Sequence, residues 1–322
     1  MKIRLSHWAR ILAAATCLAL GQDATFHATV PAVLVPVSIT DAKGHHIDGL
    51  SADDFALLDD GTPQRIRCDA PGVTTIPFAV VFVIQADDIA ATAILKIRKV
   101  GSMVAPLVTG EGGQTAVLAY GSTLDLIQNF TAAPEFITRA FDAVKPQEGH
   151  KAPMLDAIAN AVTILSQRPT NERRIIVTVG ESRDRGSKTK FDDVVKLIER
   201  QSVTVFSFVY SAYLTPFTTK GTDMPPPGDT DLSAIFTEPA RLGKRNAAAA
   251  LAEYSGGRKL SFATLKGLEQ GIGRAGEELH SQYLLSYTPS NRRPGFHAID
   301  VKVKDRPSAV IRARTGYWAL EP

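Results

Sequence analysis

Cysteine is scarce in this 322-residue chain, which holds only two. Cys17 lies within the first 21 residues, so Cys68 stands alone in the remainder and no disulfide can form there. The sequence places no base close to Cys68, and a catalytic thiol needs one. We therefore predict a half-buried strand position for Cys68 rather than a reactive site.

Net charge is also nearly absent. The chain has 36 Lys and Arg residues against 33 Asp and Glu, a formal charge of +3. Residues 1–21 hold three of the basic residues and no acidic one, so 33 of each sign remain beyond them. A formally neutral chain has no net field to attract nucleic acid or anionic lipid. We expect a protein partner and no nucleic acid.

The N-terminal segment predicts export. Basic residues precede an apolar run at 11–20, and small residues at Ala19 and Gly21 follow the order of a signal peptide and its cleavage site. We predict a signal peptide at 1–21 and an exported protein, periplasmic or secreted. Lipid attachment at Cys17 and a buried N-terminal helix are the alternatives. No stretch approaches the ~18 uninterrupted apolar residues of a membrane span, so none is expected after residue 21.

The remaining sequence changes from short strands to alternating strands and helices, and then back to strands. Apolar β-branched runs such as 77–84 predict strands buried on both faces of a parallel sheet. Residues 124–130 follow the run at 116–120 through a short turn, which predicts one antiparallel edge strand. The predicted parts are a signal peptide at 1–21, a first β segment at 22–75, an α/β domain at 76–281 and a second β segment at 282–322.

We predict a doubly wound α/β fold with a mostly parallel sheet. The two β segments are expected to pair as a small β-sandwich, into which the α/β domain is inserted. Asp60-Gly61 predicts a hairpin between 55–58 and 64–68, and the apolar spacing at 89–108 predicts one helix.

A proline-rich segment at 212–243 interrupts the α/β pattern and predicts a long loop at the C-terminal edge of the sheet. Tyr213 and Phe217 lie within it. They would either present apolar anchors to a partner or fill the core, and the sequence leaves both possibilities open.

Motifs for nucleotides, metals and catalysis are missing or out of context. Gly271–Gly276 matches G-x-G-x-x-G, but it lies inside a helical pattern at 265–279 with no convincing strand directly before it. The glycines at 110–113 lack a P-loop lysine, and no histidines have metal-ligand spacing. We expect no catalytic residues and no cofactor, and therefore not an enzyme.

Several stretches together resemble a known family. They are LSADDFALLDDGTPQ at 50–64, the strand at 77–84, ESRDRGSKTK at 181–190, HSQYLLSYTP at 280–289, GFHAIDVKV at 295–303 and RARTGYW at 312–318. The chain resembles a von Willebrand factor type A (VWA) domain, and more closely the exported bacterial family called the VWFA-related Acidobacterial domain.

This resemblance implies a protein-binding domain with a metal-ion-dependent adhesion site (MIDAS) at the C-terminal edge of the sheet. The family supplies D-x-S-x-S after the first strand, a Thr in a later loop and an Asp ending the fourth strand. Gln85, Asp87 and Ile89 stand at the first three of these positions. Ala152 stands at the Thr position and Val179 at the Asp position. An ordinary Mg²⁺ site needs several oxygen ligands, so these departures predict a degenerate site.

Two functional interpretations remain open. In the first, the edge binds a protein without a metal. In the second, Asp87, Asp88, Glu181 and Asp184 hold a metal in a non-standard way, and a simpler role for these acids is to cap helices and solvate loops. The predicted binding face comprises Gln85, Asp87, Asp88, Ile89, Ala152, Val179, Glu181, Asp184, Tyr213 and Phe217.

Overall fold

The computed structural model describes residues 32–72, 76–108, 112–169, 172–210 and 239–319. The predicted signal peptide and the candidates Tyr213 and Phe217 lie outside these residues. The strands are β1 (Val33–Thr40), β2 (Phe55–Asp59), β3 (Thr62–Pro63), β4 (Arg67–Asp69), β5 (Phe78–Gln85), β6 (Gln114–Tyr120), β7 (Leu124–Thr131), β8 (Arg173–Gly180), β9 (Val203–Tyr210), β10 (Arg258–Phe262), β11 (Tyr283–Tyr287), β12 (Gly295–Val303), β13 (Val310–Arg312) and β14 (Gly316–Ala319). The helices are α1 (Ala91–Ile97), α2 (Gly101–Val108), α3 (Pro134–Ala143), α4 (Met154–Ser166), α5 (Phe191–Arg200), α6 (Pro239–Tyr254) and α7 (Leu265–His280).

Six strands form the central sheet in the order β10-β9-β8-β5-β6-β7. All neighbours are parallel except β7, which runs antiparallel to β6 at the edge. Every residue of β5 is buried. Alternate side chains such as Val80 and Val81 enter two different core clusters, one on each face of the sheet. The predicted doubly wound α/β fold with one antiparallel edge strand is confirmed.

Strands from both ends of the described chain pair with each other. One four-stranded sheet has the order β13-β1-β11-β4, and another has the order β14-β12-β2-β3. Their buried side chains, including Val37 of β1 and Leu57 of β2, belong to a single apolar cluster. The expected pairing of the two β segments is therefore present, while the sandwich arrangement and the exact domain boundaries stay predictions.

One local prediction was wrong at its end, and another is less regular than expected. The hairpin at Asp60-Gly61 continues only into β3, and β4 crosses to pair with β11 in the other sheet. The helix expected over 89–108 is divided into α1 and α2. Position 101 is a glycine where α3 passes close by: a Cβ at Gly101 would lie 2.8 Å from the Cβ of Phe141. Cys68 is half-buried in β4, as predicted, and burial raises the pKa of its thiol to about 11.

Two further elements differ from expectation. Residues 239–243 belong to α6 rather than to the proline-rich loop. Strand β10 was missed, and it ends two residues before α7. The glycine motif nevertheless lies inside α7, where Gly271 packs against Phe208 instead of opening a phosphate-binding turn.

Buried charges join the β segments to the α/β part. Glu278 of α7 is 1% exposed and forms ion pairs with Arg258 at 3.3 Å and with Arg312 at 3.0 Å. Arg314, also buried, donates to the backbone oxygen of Glu199 at 2.7 Å. Arg258 and Glu278 belong to the α/β part and Arg312 to β13, so these buried ion pairs resist separation of the α/β part from the β segments.

No described helix combines the length and apolar character needed to cross a bilayer.

Glu199 on α5 should make stability depend on pH. Burial raises the pKa of its carboxyl from 4.5 to about 7, although the nearby guanidinium of Arg314 acts to lower it. The folded chain therefore binds this proton more tightly than the unfolded chain. The resulting stabilisation is complete below pH 4.5 and is lost as the pH rises through about 7.

The variant Glu199→Gln stays neutral at every pH. We expect its free energy of unfolding to rise relative to wild type by roughly 2–3 kcal/mol between pH 4.5 and pH 8, measured by urea denaturation. Glu253→Gln changes an exposed glutamate of α6 and is the matched control. Parallel pH profiles for wild type and Glu199→Gln would contradict the role of burial.

Candidate functional site

The carboxyl ends of β5 and β8 are joined by one side chain. Gln85, which ends β5, is 1% exposed. Its Nε2 donates to Oδ1 of Asp87 at 2.7 Å, and its Oε1 accepts from the backbone N–H of Glu181 at 2.6 Å. Gly180 leaves room for this contact, because a Cβ there would lie 2.7 Å from Oε1 of Gln85. Gln85 thus fixes the strand end that carries Asp87 against the loop that carries Glu181.

An arginine lies between the two carboxylates at this edge. Nη2 of Arg185 is 2.5 Å from Oδ2 of Asp87 and 2.9 Å from Oε2 of Glu181. The side chain of Asp87 is fully buried, that of Glu181 is 17% exposed and that of Arg185 is 27% exposed. A buried carboxylate requires a counter-charge. The guanidinium of Arg185 supplies it, and it stays charged at any ordinary pH.

Two loops are tied together beside this ion pair. Ala152 and Arg185 exchange two backbone hydrogen bonds, of 2.9 and 3.0 Å. Asp184 accepts from the N–H of Leu155, in the first turn of α4, at 3.0 Å. Asp156 of α4 in turn accepts from the N–H of Thr189 at 2.8 Å. The loops 149–153 and 181–190 therefore form one connected surface around Arg185.

The hydrogen bonds that Asp156 accepts lower the pKa of its carboxyl. Burial acts to raise the pKa of this carboxyl, but donors from Thr189 and Lys188 outweigh it, and the pKa lies below its usual value. Asp156 thus keeps its charge and holds the second loop on α4.

The donors of an ordinary MIDAS do not fit here. Ala152 and Val179 are buried and carry no side-chain oxygen. Asp88 accepts from the N–H of Gly149 at 3.1 Å, and Asp184 faces the start of α4. The carboxylates of Asp87 and Glu181 converge on Arg185 instead. A hard cation needs several converging oxygens, and the four acids proposed as its alternative ligands do not provide them.

Asp87 does not cap the helix start as expected, whereas Asp88 does lie in its first turn. Asp87 precedes a 3₁₀ turn without a capping hydrogen bond from its side chain, since its two oxygens bind Gln85 and Arg185. Asp88 holds the loop at Gly149. Asp184 does bond to a helix N-terminus, but to that of α4. For Ile89 the structure describes only the backbone, which lies in the 3₁₀ turn Asp88–Ala90.

Two tyrosines lie below the ion pair. Burial first, and then the negative charges of Asp87 and Glu181, raise the pKa of both Tyr120 and Tyr210 above the ordinary value. Both hydroxyls therefore stay protonated. The buried hydroxyl of Tyr210 has no hydrogen-bond partner among the residues described.

Arg185 was missed in the sequence, although its segment was not. The stretch at 181–190 was singled out, but its pattern does not show which of Arg183 and Arg185 turns inward. The one available signal was charge balance, because two acids predicted at one edge without a metal require a nearby cation.

A second group of possible metal ligands lies in the β segments. Ligand atoms of Asp59, Asp60 and His297 lie within 4.8 Å of one another, the one such group among the described residues. Other contacts already engage them. Oδ2 of Asp59 accepts from the hydroxyls of Tyr287 and Tyr317 at 3.1 and 3.0 Å.

Further hydrogen bonds complete this cluster. Nδ1 of His297 lies 3.1 Å from each aspartate, and its Nε2 lies 2.8 Å from the backbone oxygen of Arg293. Asp60 also pairs with the guanidinium of Arg293 at 2.8 Å. Every member has partners within the fold, with Asp59 and His297 buried in the β core and Asp60 exposed beside them.

Several solved structures are similar to this chain. The SpRpn10 VWA domain is 14% identical, with 41% of this chain and 75% of that chain covered and a TM-score of 0.34. Proximal thread matrix protein 1 from the mussel byssus is 13% identical, with 78% and 51% covered and a TM-score of 0.46. BatB, a conserved hypothetical protein from Bacteroides thetaiotaomicron, is 11% identical, with 62% and 99% covered and a TM-score of 0.41.

No family model matches the chain, and no curated protein matches its sequence. The narrower resemblance to the Acidobacterial family therefore stays a prediction. The sheet order and the antiparallel edge strand are those of a doubly wound fold with the first strand at its centre. The six-stranded sheet and its helices therefore have the doubly wound arrangement expected from the resemblance to VWA domains.

Proposed function

We propose that this chain is an exported, non-enzymatic protein-interaction module that binds its partner at the C-terminal edge of the sheet without a metal. The observation that carries the proposal is the position of Arg185 between Asp87 and Glu181. Ligands of open α/β sheets sit at this edge. Here a side chain of the protein itself supplies the positive charge that the two carboxylates require.

The chemistry of the edge supports binding rather than catalysis. Asp87 and Glu181 are held in ion pairs, and the raised pKa values of Tyr120 and Tyr210 keep both hydroxyls protonated. A general base must be free to take up a proton near neutral pH. The tied loops instead offer a pre-ordered surface, which lowers the entropic cost of binding a partner.

Site-specific photo-cross-linking tests the binding face. Glu148 is exposed in the loop before α4, whereas Glu135 is exposed on α3, after β7 has returned to the opposite edge of the sheet. We expect a photoreactive residue at position 148, but not at 135, to form one discrete protein adduct in cells. Because no metal takes part, the adduct should persist with EDTA. Loss of the adduct with EDTA, or equal adducts from both positions, would contradict the proposal.

The proposal also predicts strong coupling between Asp87 and Arg185. Arg185→Ala leaves a buried carboxylate without its counter-charge, and we expect a loss of about 3–5 kcal/mol in the free energy of unfolding. Asp87→Asn added to Arg185→Ala should recover part of this loss, because no uncompensated charge remains. Urea denaturation of the single and double variants measures the coupling.

The matched control is Lys302→Ala, which breaks an exposed pair with Asp300 and should cost less than about 1 kcal/mol. Additive effects at Asp87 and Arg185 would show that the guanidinium is not the counter-charge of the edge.

A further inference from the structure

The exposed side chains around Arg185 are mostly basic. Residues 145–153, which include the loop 149–153, and residues 181–190 together contain six Lys or Arg residues and three Asp or Glu residues. Two of the three acids are engaged internally, since Glu181 pairs with Arg185 and Asp184 bonds to α4. The positive charge of these loops is therefore left facing the solvent, although the chain beyond residue 21 is formally neutral.

Four of these cations form what we call the basic rim: Lys151, Arg183, Lys188 and Lys190. All four are exposed, and none makes a side-chain hydrogen bond or close ion pair with another described residue, although Lys188 interacts electrostatically with the carboxylate of Asp156. Lys151 lies close to the segment that carries the central arginine. Lys151 precedes the residue that bonds to Arg185, and its Cγ lies 3.9 Å from the position that a Cβ on Gly186 would take.

One residue of the rim stands at the start of a helix. Lys190 occupies the N-cap position of α5 and makes no side-chain capping hydrogen bond. Ser, Thr, Asp or Asn would stabilise this position by about 1 kcal/mol, and a cation is unfavourable at the positive end of a helix. Asp192 and Asp193 in the first turn of α5 offset this charge at the start of the helix.

We infer that the basic rim recognises an acidic segment of the partner protein, a stretch rich in Asp and Glu. This inference rests on the proposed function and names the chemistry of its partner. The rim supplies four unpaired cations on loops that hydrogen bonds hold in place, and the 27% of Arg185 that is exposed adds a fifth donor group near the centre. Complementary charge of this kind accelerates association and selects among partners.

The test uses a fluorescein-labelled, Glu-rich decapeptide, with a Gln-rich peptide of the same length as reference. Fluorescence anisotropy should show tighter binding of the Glu-rich peptide, weakening as salt is added. Changing Lys151, Arg183, Lys188 and Lys190 together to Gln should lower the affinity about tenfold.

A matched variant carries the same change in charge elsewhere on the α/β part. It replaces Lys99, Lys259, Lys266 and Arg274 by Gln, four residues that are equally exposed. We expect this control to change the affinity by less than about twofold, and thermal melts of both variants to confirm that they are folded.

Equal losses in the two variants, or no preference for the Glu-rich peptide, would overturn the inference. Because the cross-linked adduct at position 148 does not depend on the partner's charge, failure with the peptide and failure of the adduct are separate results. A peptide that fails to bind beside an intact adduct would reject the acidic partner and leave the binding face in place.

Discussion

The arrangement of the sheet edge depends on one buried carboxylate and the arginine that neutralises it. Asp87 is fully excluded from water, and the guanidinium of Arg185 is 2.5 Å away. Arg185 also shares two backbone hydrogen bonds with Ala152, so the same residue sets both the charge of the edge and the path of its loops. Removing the cation would therefore disturb the binding face and the strand ends beneath it.

An arginine side chain and a bound metal ion would give this edge different properties. A metal site responds to the concentration of the ion and leaves a coordination position for a ligand. Arg185 is always present, always charged and already hydrogen-bonded on two sides. The edge therefore has a single charge state under ordinary conditions, and in the proposed function the exposed loops would determine specificity. Those loops carry unpaired cations, although the sequence beyond residue 21 is neutral as a whole.

Much of the fold was predictable because its signals are local. Every residue of the run at 77–84 is apolar. A strand needs apolar side chains on both of its faces only when both faces are covered, and this run corresponds to β5. The short turn after β6 could lead only to an antiparallel neighbour. Strand β10 was missed because Arg258 and Lys259 begin it, and these charged residues resemble a turn. The crossing of β4 to another sheet depends on contacts distant in sequence.

The candidate site was predictable in part. The order of strands along the chain predicts that Gln85, Asp87 and Glu181 share one edge, because the carboxyl ends of parallel strands meet there. The resemblance showed which ligands were missing, but it did not show what replaces them. That replacement depends on the backbone bridge between Ala152 and Arg185, a contact between loops that no local pattern encodes.

Calorimetric titration with Mn²⁺ tests most directly whether Arg185 takes the place of a metal. Wild type and Asp87→Asn should be titrated side by side, because the variant removes a carboxylate that any metal at this edge would need. We predict that the wild-type edge shows no saturable binding at micromolar Mn²⁺ and that the two titrations coincide. Stoichiometric micromolar binding by wild type that disappears in Asp87→Asn would contradict the account.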